Sequence, residues 1–210
     1  MPKRLNPHSS ISSREAASAF YIDFEGFQDK APTLLGLLTN DDFKQVVFDR
    51  VLETAADAKN LEIVDLKLQI KELVDRCRKE SRFLVAYSQH ELHTINEFAE
   101  IDISDVYRDA RMIAKKWKAK CHPGTTKCKG LKDYLKFIEF PRGAHLGERK
   151  VTSRIRAVRN MLLSRGHYSK LTRGVKTKWT NLLSHNEIDC KGMQALVLKA
   201  ANEVEECAPQ

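Results

Sequence analysis

Residues 19–27 read Ala19-Phe20-Tyr21-Ile22-Asp23-Phe24-Glu25-Gly26-Phe27, and the fold turns on them. An aromatic-rich apolar run closed by a glycine is expected to form a buried strand. On a strand, Asp23 and Glu25 point to one face and Ile22 and Phe24 to the other. Two carboxylates side by side at the end of an apolar strand repel each other and resist burial unless a cation sits between them. Hard oxygen donors of this kind suit Mg²⁺ or Mn²⁺. Asp-x-Glu is also a common tripeptide at a solvated strand edge, so the motif gains weight only from what surrounds it.

Working outward, residues 33–38 and 45–48 read as two more strands, with Asn40-Asp41-Asp42 as the turn between them. Short loops at the start of the chain therefore predict an antiparallel three-strand meander. Apolar residues at 63, 66, 70, 73, 74 and 77 recur with a helical period. Residues 82–87 (RFLVAY) predict a fourth strand, and 91–98 and 104–118 predict helices. Cys121-His122-Pro123-Gly124 breaks the pattern. Shorter helices are expected at 131–137 and 151–163, a further one ending near Leu183, and a last one over about 185–205. The expectation is an α/β domain over 18–206 with a mixed sheet, antiparallel at first and then parallel, flanked by helices. Residues 1–17 read as a polar mobile tail.

The chain has 210 residues, 42% of them hydrophobic and 30% charged, which suits one domain with a real core. Its net charge of +8 is unevenly spread. From Lys115 to Lys178 there are 19 Lys/Arg against 3 acids; the rest of the chain has 17 against 25. A basic helical insertion at about 115–180 on an acidic remainder predicts a polyanion-binding surface. Arg154, Arg156 and Arg159 on one helix, and Arg173, Lys176 and Lys178 before the last one, are the candidate phosphate contacts. Tyr168 and Trp179 are open to stacking on a base or to packing on the sheet. No apolar run follows the basic N-terminus and none reaches the roughly 18 residues of a membrane helix. Five irregularly spaced cysteines fit reduced thiols, and the expectation is a cytoplasmic chain without membrane contact. Cys121, His122 and Cys128 with His145 or His167 match no common zinc spacing.

Two further motifs carry acids. In Phe83-Leu84-Val85-Ala86-Tyr87-Ser88-Gln89-His90-Glu91 a strand delivers a polar turn, and Glu91 opens the helix that follows. An acid there also suits the helix dipole. In Ser184-His185-Asn186-Glu187-Ile188-Asp189, His185 and Asp189 share one helix face a turn apart. Ser184 with Glu187 makes a capping box for a helix start.

Taken together, in this order, the motifs resemble the DEDD superfamily of 3′–5′ exonucleases, whose catalytic domain has the ribonuclease H-like fold. The resemblance implies that Asp23, Glu25, Glu91 and Asp189 are metal ligands and His185 a general base. It also implies two Mg²⁺ or Mn²⁺ ions and hydrolysis of DNA or RNA phosphodiesters. Two departures stand out. The third acid is Glu where the family usually has Asp, and three residues separate His185 from Asp189 where His-containing members usually have four. The rival expectations are a non-catalytic nucleic-acid-binding module on the same scaffold and a related structure-specific endonuclease.

Overall fold

The computed structural model describes residues 7–27, 30–143 and 151–207. Of the sequence expectations, the start of the tail, His145 and part of the basic insertion lie outside those residues. Strands β1 (Phe20–Glu25), β2 (Leu34–Thr39) and β3 (Asp42–Val47) form the antiparallel meander, joined between β2 and β3 by a turn with Asn40 left-handed at φ 52°. Asn tolerates that conformation better than most residues. Strands β4 (Glu62–Ile63), β5 (Leu84–Ala86) and β6 (Tyr107–Asp109) complete one six-stranded sheet in the order β4-β3-β2-β1-β5-β6. Strands β5 and β6 run parallel to β1, so all three present their carboxyl ends at one edge.

Alternation along β1 divides the core. Phe20, Ile22 and Phe24 face α3 (Leu66–Glu80) and pack with Ile70, Leu73 and Val74. Tyr21 faces the opposite side, against α5 (Ala110–Cys121) and α8 (Arg173–Glu206). Helix α8, 34 residues and about 51 Å long at 1.5 Å per residue, crosses this second face. Its first part (Val175, Trp179, Leu182) packs with α2 (Glu53–Asp57) and α7 (Val151–Arg165). Its last part (Cys190, Met193, Leu196, Val197) packs with α5 and α6 (Leu131–Phe137). Gly192 lets α6 approach, because a Cβ there would lie 2.6 Å from a Leu135 methyl. Between these two apolar clusters α8 passes over Asp23 and Glu25, which therefore sit in a polar seam.

Four expectations differ from the structure. Residues 104–118 are not one helix: Tyr107–Asp109 pairs with β5 as strand β6, and α5 starts only where the Asp109 carboxylate accepts from Met112 N at 3.0 Å. Pairing with a buried neighbour overrides the local helical period. The helices expected to meet near 184 are one continuous α8, since nothing between Val175 and Glu205 stops it, and Glu187 pairs with Lys191 instead of capping. Part of the expected tail is folded: α1 (Ser13–Ser18) carries a Ser12/Glu15 capping box, buries Ala16 and donates Ser13 N to Glu205 at 2.8 Å. Finally, α7 in the basic stretch belongs to the core, burying Ile155, Val158 and Leu162.

Candidate active site

The three acidic motifs meet. Glu25 ends β1 at 7% exposure, and Asp23 lies one pleat back on the same face. After β5, Ser88 caps α4 (Gln89–Thr94), accepting from His90 N at 3.3 Å. The same Ser88 hydroxyl donates to Glu91 Oε2 at 3.3 Å, and Tyr107 on β6 donates its hydroxyl to the Ser88 carbonyl. Glu91 is thereby held at 6% exposure beside β1. From α8 come His185 and Asp189, with His185 Nε2 3.5 Å from Asp189 Oδ2 and 4.0 Å from Glu25 Oε1.

Their charges act on one another. Burial pushes the Asp23 carboxyl well above the ordinary carboxylate range; Asp189 and Glu91 push it further, against the Asn186 hydrogen bond and Arg142. Glu25 is likewise raised by burial, then by Asp23, Asp189 and Glu91, with Arg154 opposing. Burial also raises Glu91 and Asp189, and it lowers His185. Four carboxyl groups drawn together in this way resist ionising at once, and a nearby positive charge, such as Arg142 beside Asp23 and Asp189, eases that resistance.

Four residues that the sequence motifs did not single out complete the site. Asn186, fully buried, donates Nδ2 to both the Asp23 carbonyl and its Oδ2 at 2.9 Å, and its Oδ1 accepts from Gln45 Nε2 at 2.8 Å. This clamp needs Gly36, which pairs with Asp23 across β1 and β2: a Cβ there would lie 2.3 Å from Asn186 Oδ1. Arg142 Nη2 is 3.1 Å from Asp189 Oδ1 and 3.0 Å from His185 Nδ1. Arginine only donates, so Nδ1 accepts and the neutral imidazole carries its proton on Nε2, toward the acids. The contact to Asp189 Oδ1 lacks hydrogen-bond alignment, which leaves that buried oxygen without a donor among the described residues.

The donor chemistry fits a hard divalent cation, and Asp189 brings to it a buried oxygen without a hydrogen-bond donor among the described residues. Among the described residues no three His, Cys, Asp or Glu side chains are drawn close enough to hold one as they stand.

The candidate phosphate contacts divide. Arg154 is 5% exposed, donates to the Asn181 carbonyl at 3.4 Å and faces Glu25 from within the protein. Arg156 is exposed and Arg159 is paired with Asp49 at 2.9 Å; both line a cleft of about 860 Å³. That cleft shares Phe27, Lys30, Pro32 and Thr152 with a smaller one of about 420 Å³ that opens at Glu25. Arg173, Lys176 and Lys178 are not brought to the acids. They lie on the first turns of α8, where Lys176 donates to the Ser169 carbonyl at 3.0 Å. Trp179 is fully buried and donates to the Ala55 carbonyl at 3.0 Å, a packing role; Tyr168 is half-buried under Lys176. His122 contacts Glu203 at 2.7 Å.

No family model, no curated protein and no solved structure matches the chain. No helix among the described residues is long and apolar enough to cross a membrane.

Proposed function

We propose that this chain is a metal-dependent nuclease on a ribonuclease H-like scaffold that hydrolyses phosphodiester bonds of DNA or RNA, acting from 3′ ends. The observation that carries the reading is the meeting of Asp23, Glu25, Glu91 and Asp189, from three separate elements, in one seam at the carboxyl edge of the parallel strands. Open α/β sheets place their ligands at that edge. The order β3-β2-β1-β5-β6, antiparallel and then parallel, supports the same scaffold.

In this reading Asp23, Glu25, Glu91 and Asp189 would hold two Mg²⁺ or Mn²⁺ ions. When bound, such ions would supply Lewis-acid activation of a water and charge stabilisation at the leaving 3′ oxygen. Asn186 fixes the Asp23 carboxylate, and Arg142 is placed to meet a phosphate oxygen entering beside Asp189. His185 takes a proton from the attacking water only once Arg142 releases Nδ1, which frees the imidazole to carry its hydrogen on that nitrogen and accept at Nε2.

One observation favours a second reading. Arg142 already supplies a positive charge to Asp189, and the acids do not yet converge on a cation, which suits a nucleic-acid-binding module without catalysis. The test is a gel assay of 5′-labelled single-stranded DNA and RNA with Mn²⁺ or Mg²⁺, using free 3′ ends, blocked 3′ ends and a closed circle. A metal-dependent ladder from free ends alone supports the exonuclease. Cutting of the circle replaces it with an endonuclease, and binding without any cutting supports the second reading.

A further inference from the structure

A separate basic groove lies along α5, outside the carboxylate seam. Arg111, Lys115 and Lys118 recur at helical spacing on one face of α5, and His122 at its C-cap and Lys127 and Lys129 in the following loop continue the lining. Together they line a groove of about 480 Å³ that contains no acidic side chain. Lys118 is its buried anchor at 7% exposure. Its ammonium donates to the Thr125 hydroxyl and stands 3.9 Å from the centre of the Phe137 ring, both neutral partners. Burying an ammonium with no carboxylate beside it is costly, and four more cations around it add repulsion.

Three acids border the groove: Glu203 meets His122 at 2.7 Å and accepts from Trp117 Nε1 at 2.7 Å, Asp109 acts on Arg111 and Lys115, and Asp133 acts on Lys129. Asp133 accepts from Lys129 N at 2.7 Å and Gly130 N at 3.3 Å where α6 begins, and Asp109 is the buried cap of α5. Among the described residues, no carboxylate makes an ion pair with Arg111, Lys115, Lys118, Lys127 or Lys129. Arg154 and Arg159 of α7, by contrast, are taken up inside the protein or paired with Asp49.

We infer that this groove binds the phosphodiester backbone of a single nucleic-acid strand. A chain of phosphates fits better than one phosphate, because the cations run along about 10 Å of helix from Arg111 to Lys118 and on into the loop at Lys127 and Lys129, and do not converge on a point. The upper end of the groove adjoins the seam: Arg111 N donates to the Tyr87 carbonyl at 3.2 Å, and Tyr87 precedes the Ser88 turn that holds Glu91. A strand lying on α5 is led to that turn. The identity of the ligand rests on the nuclease reading, but the groove's attraction for a polyanion does not.

The test measures binding without cutting. Fluorescence anisotropy of a short labelled single-stranded oligonucleotide is recorded in EDTA over a range of salt. The paired reversal Lys115→Glu with Lys129→Glu is compared with Lys71→Glu with Lys79→Glu, exposed on α3 and equal in charge change. The groove pair is expected to weaken binding at least about tenfold and to flatten the salt dependence by about 0.7 in log–log slope per lost contact. The α3 pair is expected to change affinity less than about twofold. Equal losses from both pairs would mean that only overall charge matters and would overturn the inference. So would groove-dependent binding of pyrophosphate with none of the oligonucleotide. Each variant's urea midpoint is checked against wild type, so misfolding is read separately. Groove-dependent binding in a protein that never cuts would sink the nuclease reading and leave the groove standing.

Discussion

Asp23 is positioned by residues far from it in the chain. The Asn186 amide spends both sides of its hydrogen-bonding capacity on the clamp, and Gly36 supplies the space that it occupies. Gly36→Ala must therefore displace Asn186 or bend β2. Overpacking of this kind costs about 1–3 kcal/mol, to be read as a lower urea midpoint, and cleavage should fall with it. An unchanged midpoint would show that the strand yields and that the clamp does not depend on Gly36. Local sequence pattern does not carry this clamp. Asp23 and Glu25 could be paired from strand alternation alone, but Gly36 in Leu-Leu-Gly-Leu-Leu looks like any strand glycine. Asn186 sits within Ser184–Asp189, but its partners are 141 and 163 positions away, beyond the reach of local pattern. Arg142 likewise meets His185 across 43 residues.

At the scale of elements, local pattern sufficed where burial and period agree. The meander, α3 and the turn carrying Glu91 were all readable, because alternation or a 3.6-residue period is imposed directly by the face each buries. It failed where long-range pairing decides. Strand β6 is three residues inside a helical pattern, chosen by its neighbour β5. Ser184-x-x-Glu187 is a helix-start signature that falls in the interior of α8. The two possibilities at Ser184 differ in sign. Were it a cap, Ser184→Ala would cost about 1 kcal/mol. In the interior of a continuous helix, the same change is expected to stabilise by up to about 0.5 kcal/mol in urea denaturation. A loss near the capping value would show that α8 is broken there.

Across the whole molecule, one long helix spans two apolar clusters and covers the acids where neither cluster reaches. That arrangement makes stability depend on pH and cations together. Asp23, Glu25, Glu91 and Asp189 are all raised in the folded state. A carboxyl whose folded value exceeds its unfolded one favours folding fully below the unfolded value, and that favour is lost as pH rises through the folded one. His185, lowered by burial, opposes this below about pH 6.5, one group against four. In EDTA the protein is therefore expected to melt at a lower temperature at pH 8 than at pH 5, and millimolar Mg²⁺ or Mn²⁺ should close most of the gap at pH 8. A melting temperature that rises toward pH 8 in EDTA would contradict the strain assigned to the acids.

The most direct measurement combines calorimetric titration of Mn²⁺ with cleavage of a labelled single strand, on wild type and on Asp23→Asn. The account predicts two Mn²⁺ per wild-type chain and metal-dependent cutting. It predicts weakened or lost binding in the variant, with cutting abolished. A wild-type chain that neither takes up Mn²⁺ at millimolar concentration nor cuts, or a variant that does both as well as wild type, would contradict the assignment of the seam as a metal-dependent nuclease centre.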